Sequence, residues 1–120
     1  MENKPSVEIW GTGTPLREFL YVDDLADACV FLMERYDYAD IGGWINIGSG
    51  KDLTIKELAE LVKKTCGFQG DIVYNPEMPD GTPQKLLDIT RMKLLGWEAG
   101  TSLEQGIRKT YQWYVENLAT

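Results

Sequence analysis

An α/β fold is the prediction for this 120-residue sequence, and three of its features make it. Apolar residues at three- and four-residue spacing alternate along the chain with short β-prone runs. Glycine or proline marks most boundaries between them. Two capping boxes, Thr54 with Glu57 and Ser102 with Gln105, fix where two helices begin, because each pairs a side chain with a free amide of the first turn. The expected count is about four helices and three or four short strands in one domain, 1–120, with no internal repeat or linker.

The first strand is "VEIWG", Val7 to Gly11, which alternates and then stops at a glycine-rich turn. "EFLYV" is β-prone, and Asp23 is placed to cap a helix running to about Tyr36, with Asp24 and Asp27 near the positive end of its dipole. Leu25, Cys29, Leu32, Met33 and Tyr36 fall three or four apart and form the expected buried face. "GGWINIGSG", Gly42 to Gly50, reads as a strand bracketed by glycines. The helix opened by Thr54 carries Leu58, Leu61, Val62 and Cys66 inward and stops at Gly67. "DIVYN", Asp71 to Asn75, is another strand, and the breaker-rich "PEMPDGTP" after it cannot be regular. Thr90 is expected to cap the short "RMKLLG" helix. The last helix repeats Leu103, Ile107, Tyr111, Tyr114 and Leu118 on one face.

Composition narrows the function. The formal net charge is −7, so a broad attraction to nucleic acid or to an anionic membrane has nothing to rest on, and any phosphate contact must be local. No apolar run approaches the roughly 20 residues of a membrane helix, and "MENKPSVEIW" lacks the regions of a secretion signal, so a cytoplasmic location is expected. Cys29 and Cys66 have no CxxC or histidine companions and read as reduced, packed thiols rather than a zinc site or disulfide. There is no histidine, the commonest acid or base at neutral pH.

Two stretches carry chemistry. In "GTGTPLREFLYVDDLA", Gly11 and Gly13 permit close backbone approach, Pro15 stiffens the exit, and Arg17 offers a planar fork that matches phosphate oxygens in pairs. Taken alone, Arg17 reads first as the ion-pair partner of an acid such as Asp23 or Asp24, because most arginines near acids are solvated pairs. "GTGTPL" is not a dinucleotide loop, because Leu16 stands where the third glycine belongs and the next helix starts too late. In "PDGTPQKLLD", the Asp80 carboxylate suits donors of a base or sugar and Lys85 suits a phosphate, though taken alone the pair reads first as an Asp-Gly turn followed by a solvated lysine. Trp10, one residue before the glycine loop, is either a core tryptophan or a ring edge facing a nucleotide.

"GTGTPLREFLYVDDLADACVFLM", "INIGSGKDLTIKELAELV" and "PDGTPQKLLDITRMKLLGW" resemble the C-terminal, substrate-binding portion of the GDP-L-fucose synthase family. These GDP-4-keto-6-deoxy-mannose epimerase-reductases belong to the Rossmann-related extended short-chain dehydrogenase/reductase superfamily of NAD-dependent epimerase/dehydratase type. The resemblance covers nearly the whole chain, and "GTPLREFLYVDDLA" with "PDGTPQKLLD" and "TYQWYVEN" is its most specific part. It implies that Trp10, Arg17, Asp80 and Lys85 contact a GDP-sugar, Arg17 on the diphosphate, with Asp23 and Asp24 as helix cap and orienter. It places the NADP loop, the Tyr-x-x-x-Lys pair and the epimerising cysteine and histidine upstream of residue 1. No tyrosine here has a lysine four residues later, Cys29 does not match the family's cysteine, and no catalytic residue is expected in 1–120. The match through "ENKPSVEIW" implies that Met1 was added or substituted.

The resemblance thus implies a truncated piece, inert alone, of an NADP-dependent enzyme that converts GDP-4-keto-6-deoxy-D-mannose to GDP-L-fucose. Segment 23–48 would be the helix and strand that return to the missing Rossmann sheet. Their orphaned surfaces imply a homodimer or domain-swapped oligomer. Another nucleotide-sugar epimerase or dehydratase, or a non-catalytic nucleotide-sugar-binding module, are the alternatives.

Overall fold

A computed structural model of the chain describes residues 4–118; Met1 lies outside them. In chain order the elements are β1 (Ser6–Trp10), β2 (Leu16–Glu18), α1 (Val22–Arg35), α2 (Tyr38–Ile41), β3 (Asp52–Thr54), α3 (Ile55–Cys66), β4 (Asp71–Asn75), β5 (Gln84–Lys85), α4 (Thr90–Leu94) and α5 (Leu103–Asn117). The α/β class holds. β1 pairs with β4 in parallel, from Ser6 opposite Asp71 to Trp10 opposite Asn75. A second sheet has the order β3-β2-β5, with β2 antiparallel to β3 and parallel to β5.

Both capping boxes form as expected. The Thr54 hydroxyl accepts from the Glu57 amide and the Ser102 hydroxyl from the Gln105 amide, while the Glu57 and Gln105 side chains accept from the cap residues' own amides. Gly67 ends α3 with φ +68°, the left-handed conformation that glycine adopts without a Cβ clash. Helix α2, which the sequence pattern did not reveal, has a third such box from Asp37 and Asp40.

Several expectations give way. α1 starts two residues early, with Tyr21 at the N-cap, so Asp23 lies inside the first turn and caps nothing. It instead hydrogen-bonds the Tyr21 side chain and raises that phenol's pKa above its ordinary value. α4 likewise begins at Thr90 itself, whose amide and hydroxyl donate to Asp88 at 2.9 and 2.6 Å. The segment Gly42 to Gly50 is not a strand. The Arg91 guanidinium donates to the carbonyls of Ile41 and Trp44, and the Asn46 amide donates to the Asp88 carbonyl at 3.2 Å, so this stretch is tied to α4 by side chains rather than by a ladder.

The inward face of α1 is also rotated from the expected one. Ala28 and Leu32 are buried with Met92 and Trp97 in a small core, flanked by Phe31, Tyr36, Ile41, Ile45, Ile47 and Leu95. Leu25, Cys29 and Met33 are exposed, so Cys29 is not a packed thiol. Carboxylates on the helix secure the core edge: Asp27 accepts from the Trp97 indole at 2.8 Å, and Asp24 accepts from the Thr101 amide and hydroxyl at 2.9 and 2.8 Å. α5 packs on α3, yet Tyr114 and Leu118 of its expected face stand exposed. The chain measures 54 × 34 × 18 Å with a radius of gyration of 17.4 Å, where a compact body of this length has about 14 Å. It is a slab with open faces. No helix among the described residues is long and apolar enough to cross a membrane.

Candidate nucleotide-binding site

The loop between β1 and β2, Gly11 to Pro15, is where the candidate residues gather. Its amides are held at both sides: the Gly11 N–H donates to the Asn75 carbonyl at 2.9 Å, and the Leu16 N–H donates to Pro83 at 2.8 Å. Gly11 and Gly13 are buried, with φ of +83° and +76°. A Cβ on Gly11 would stand 2.2 Å from Asp80 Oδ1, and one on Gly13 would stand 2.6 Å from the Tyr74 ring. The close approach that these glycines permit is therefore made by the protein's own side chains and not by a ligand.

Asp80 clamps this loop. Its Oδ1 accepts from the Thr12 amide at 2.6 Å and its Oδ2 from the Thr12 hydroxyl at 2.7 Å, which in turn lies 2.7 Å from the Thr14 hydroxyl. The Thr12 hydroxyl bond, then the amide bond, hold the Asp80 carboxyl below its ordinary pKa. A carboxylate so shifted fastens the loop above the ordinary carboxylate pKa of about 3.9 and releases it as pH falls below that value. The Thr12 amide resonance is accordingly expected to stay fixed down to about pH 4 and to move only below it, and Asp80→Asn removes that titration. Movement centred at or above the ordinary carboxylate value would refute the clamp. Thr12 and Tyr74 had no signal in the sequence, since Thr12 is held by Asp80 68 positions away and Tyr74 meets Gly13 from another strand.

Arg17 and Lys85 occupy paired positions on β2 and β5. Residues opposite one another on neighbouring strands project from the same sheet face, so the two cations stand side by side. Arg17 takes part in none of the ion pairs among the described residues. Asp24 is occupied by Thr101 and Asp23 by Tyr21, which removes the ion-pair reading and the orienter role. Among the described residues its guanidinium makes one hydrogen bond, from Nη1 to the Leu16 carbonyl at 2.7 Å, and Nη2 lies beside Gly81, next to Asp80. Trp10, 66% exposed, ends β1 directly before the clamped loop. The structure thus brings Arg17 and Lys85 together and sets Asp80 against the residues that follow Trp10.

Two apolar cavities lie elsewhere. One of about 910 Å³ separates α3 from the β1–β4 sheet, and one of about 570 Å³ lies between α3 and α5; neither is lined by Trp10, Arg17, Asp80 or Lys85. Directed charge is found at the loop, so the loop is the candidate site. No group of three or more metal-ligating side chains occurs among the described residues.

Residues 1–48 match the NAD dependent epimerase/dehydratase family. A putative GDP-L-fucose synthase 2 from Arabidopsis thaliana is 53% identical over 116 residues, covering 97% of this chain and 34% of that protein. The structure also superposes on a crystal structure of a GDP-6-OMe-4-keto-L-xylo-heptose reductase from Campylobacter jejuni with a TM-score of 0.86, at 42% identity over 92% of this chain and 34% of that one. A further structure of similar fold is a GDP-mannoheptose C4 reductase from Campylobacter jejuni with NADP bound, with a TM-score of 0.81 at 43% identity over 91% of this chain and 34% of that one. The chain spans about a third of the length of these proteins.

Proposed function

We propose that this chain is the nucleotide-sugar-binding portion of a cytoplasmic, NADP-dependent epimerase-reductase that converts GDP-4-keto-6-deoxy-D-mannose to GDP-L-fucose. The observation that carries the reading is the unpaired Arg17 guanidinium, set beside Lys85 in a chain of net charge −7. Two cations on one sheet face match a diphosphate: Arg17 takes two oxygens through its fork, and Lys85 adds a point charge. Trp10 and the Asp80 loop flank them as walls for the rest of the nucleotide. The chain's share of catalysis is to hold the sugar where the reaction occurs.

The described residues do not fit the NADP pyrophosphate. The Gly11–Leu16 loop runs into a strand instead of opening a helix, and Asp80 and Tyr74 fill the space over its glycines. No chemical step is assigned to the chain itself, which is proposed to be inert alone. Calorimetry of the purified chain against GDP, UDP and dTDP tests the reading. GDP is expected to bind most tightly; equal affinities would remove the guanine preference, and absence of binding to all three would remove the function.

Segment 23–48 is proposed to dock on the Rossmann sheet of the whole enzyme. Val22, Leu25 and Met33 of α1 leave an apolar stripe uncovered, Val22 and Met33 at 66% and 76% exposure. Such a stripe favours pairing with a second copy when the chain is alone, as a homodimer or a domain-swapped form. Light scattering is expected to give twice the chain mass, and a strict monomer at high concentration would count against it.

A further inference from the structure

We propose that Glu18 is a positioning residue that sets the spacing of Arg17 and Lys85 from behind the sheet; this rests on the reading of those two cations as the diphosphate clamp. Successive side chains of a strand leave on opposite faces, so Glu18 lies behind the face that carries Arg17. Its Oε1 accepts from the Gly50 amide at 2.5 Å and from the Ser49 hydroxyl at 3.3 Å, and its Oε2 accepts from the Leu87 amide at 3.0 Å. One carboxylate therefore joins β2 to the turn before β3 and to the chain leaving β5. Gly48 is buried against it: a Cβ there would stand 2.5 Å from Oε1.

The need for such an anchor follows from the length of β5. It has two residues and pairs with β2 only at Leu16 with Gln84 and Arg17 with Lys85. Lys85 is its last residue, so nothing in the ladder beyond it holds the chain in place. The bond from Leu87 to Glu18 extends the β2–β5 contact by two residues, with a side chain in place of a backbone acceptor. Amide donors also satisfy the carboxylate, which forms none of the ion pairs among the described residues. The charge of Arg17 is left for a ligand.

Glu18→Gln tests this in the purified chain, because an amide keeps one acceptor and turns an NH2 toward the second donor. GDP and pyrophosphate affinities are expected to fall together by about tenfold, in line with one lost charged hydrogen bond, while guanosine binding is unchanged. Glu18→Asp, which keeps both acceptors, should be intermediate, and exchange of the Lys85 amide should quicken in the same order. A general loss of stability would weaken guanosine as well and would overturn the proposal. So would a Glu18→Gln protein that binds pyrophosphate as the parent does. Should the parent bind neither GDP nor pyrophosphate, the clamp reading fails by itself, and Lys85 exchange decides the anchor: faster in the variants supports it, unchanged overturns it. If Glu18→Gln does not fold, Lys85 exchange in Glu18→Asp decides in the same way.

Discussion

Arg17→Met weakens GDP binding by roughly a hundredfold, with little change in thermal stability. A fork engaging two phosphate oxygens makes two charge-assisted hydrogen bonds, each contributing about 1.5–3 kcal/mol, and about 2.7 kcal/mol is a hundredfold. The fold depends on this side chain only through its bond to the Leu16 carbonyl, since no ion pair of the described residues includes it. Arg17→Lys keeps the charge and loses the fork, so it should recover part of the affinity. The loss should appear with pyrophosphate and be absent with guanosine. Calorimetry on the two variants reads both differences, and GDP affinity unchanged in Arg17→Met would end the assignment of this arginine.

The second large effect is on stability. Gly13→Ala is expected to cost roughly 2–5 kcal/mol, the sum of about 1–2 for a left-handed non-glycine residue and about 1–3 for overpacking. Gly13 has φ +76°, and its new Cβ would meet the Tyr74 ring at 2.6 Å and the Lys56 Cβ at 3.3 Å. Tyr74 belongs to the β1–β4 ladder and its hydroxyl is already enclosed, so the ring has little room to retreat. Thermal melting should fall by roughly 10 °C or more. Gly81→Ala serves as the internal control. It has the same φ of +76°, yet its nearest neighbour is Arg17 Nη2 at 3.6 Å, so only the conformational part should remain. Equal melting shifts for the two variants would show that the Tyr74 contact is not limiting.

What the sequence disclosed was mostly local. The boxes at Thr54 and Ser102 and the stop at Gly67 each depend on residues within one turn, and all three form as written. Periodicity found the apolar stripes of α1 but not which stripe is covered, because that choice rests on Met92 and Trp97, far along the chain. The "INI" run was misread for a related reason: a β-prone segment becomes a strand only beside a partner, and this run is tied down by side chains instead, Asn46 donating to the Asp88 carbonyl and Arg91 holding Trp44 just before it. At the site, the side chains of Arg17, Asp80 and Lys85 stood out by type. Their arrangement did not, since the register of β2 with β5 and the grip of Asp80 on Thr12 are written nowhere in a local pattern.

The separation of Thr12 from Asp80 by 68 positions bears on how the chain acquires its shape. Closing a loop of that size costs about 4 kcal/mol in entropy before any contact repays it. β1 waits for β4, and β2 waits for β5, so contacts near in space are remote along the polymer. Such topologies fold slowly. During synthesis α1 leaves the ribosome before residue 85 and its neighbours, so the anion-gripping end takes shape only after that helix is already out.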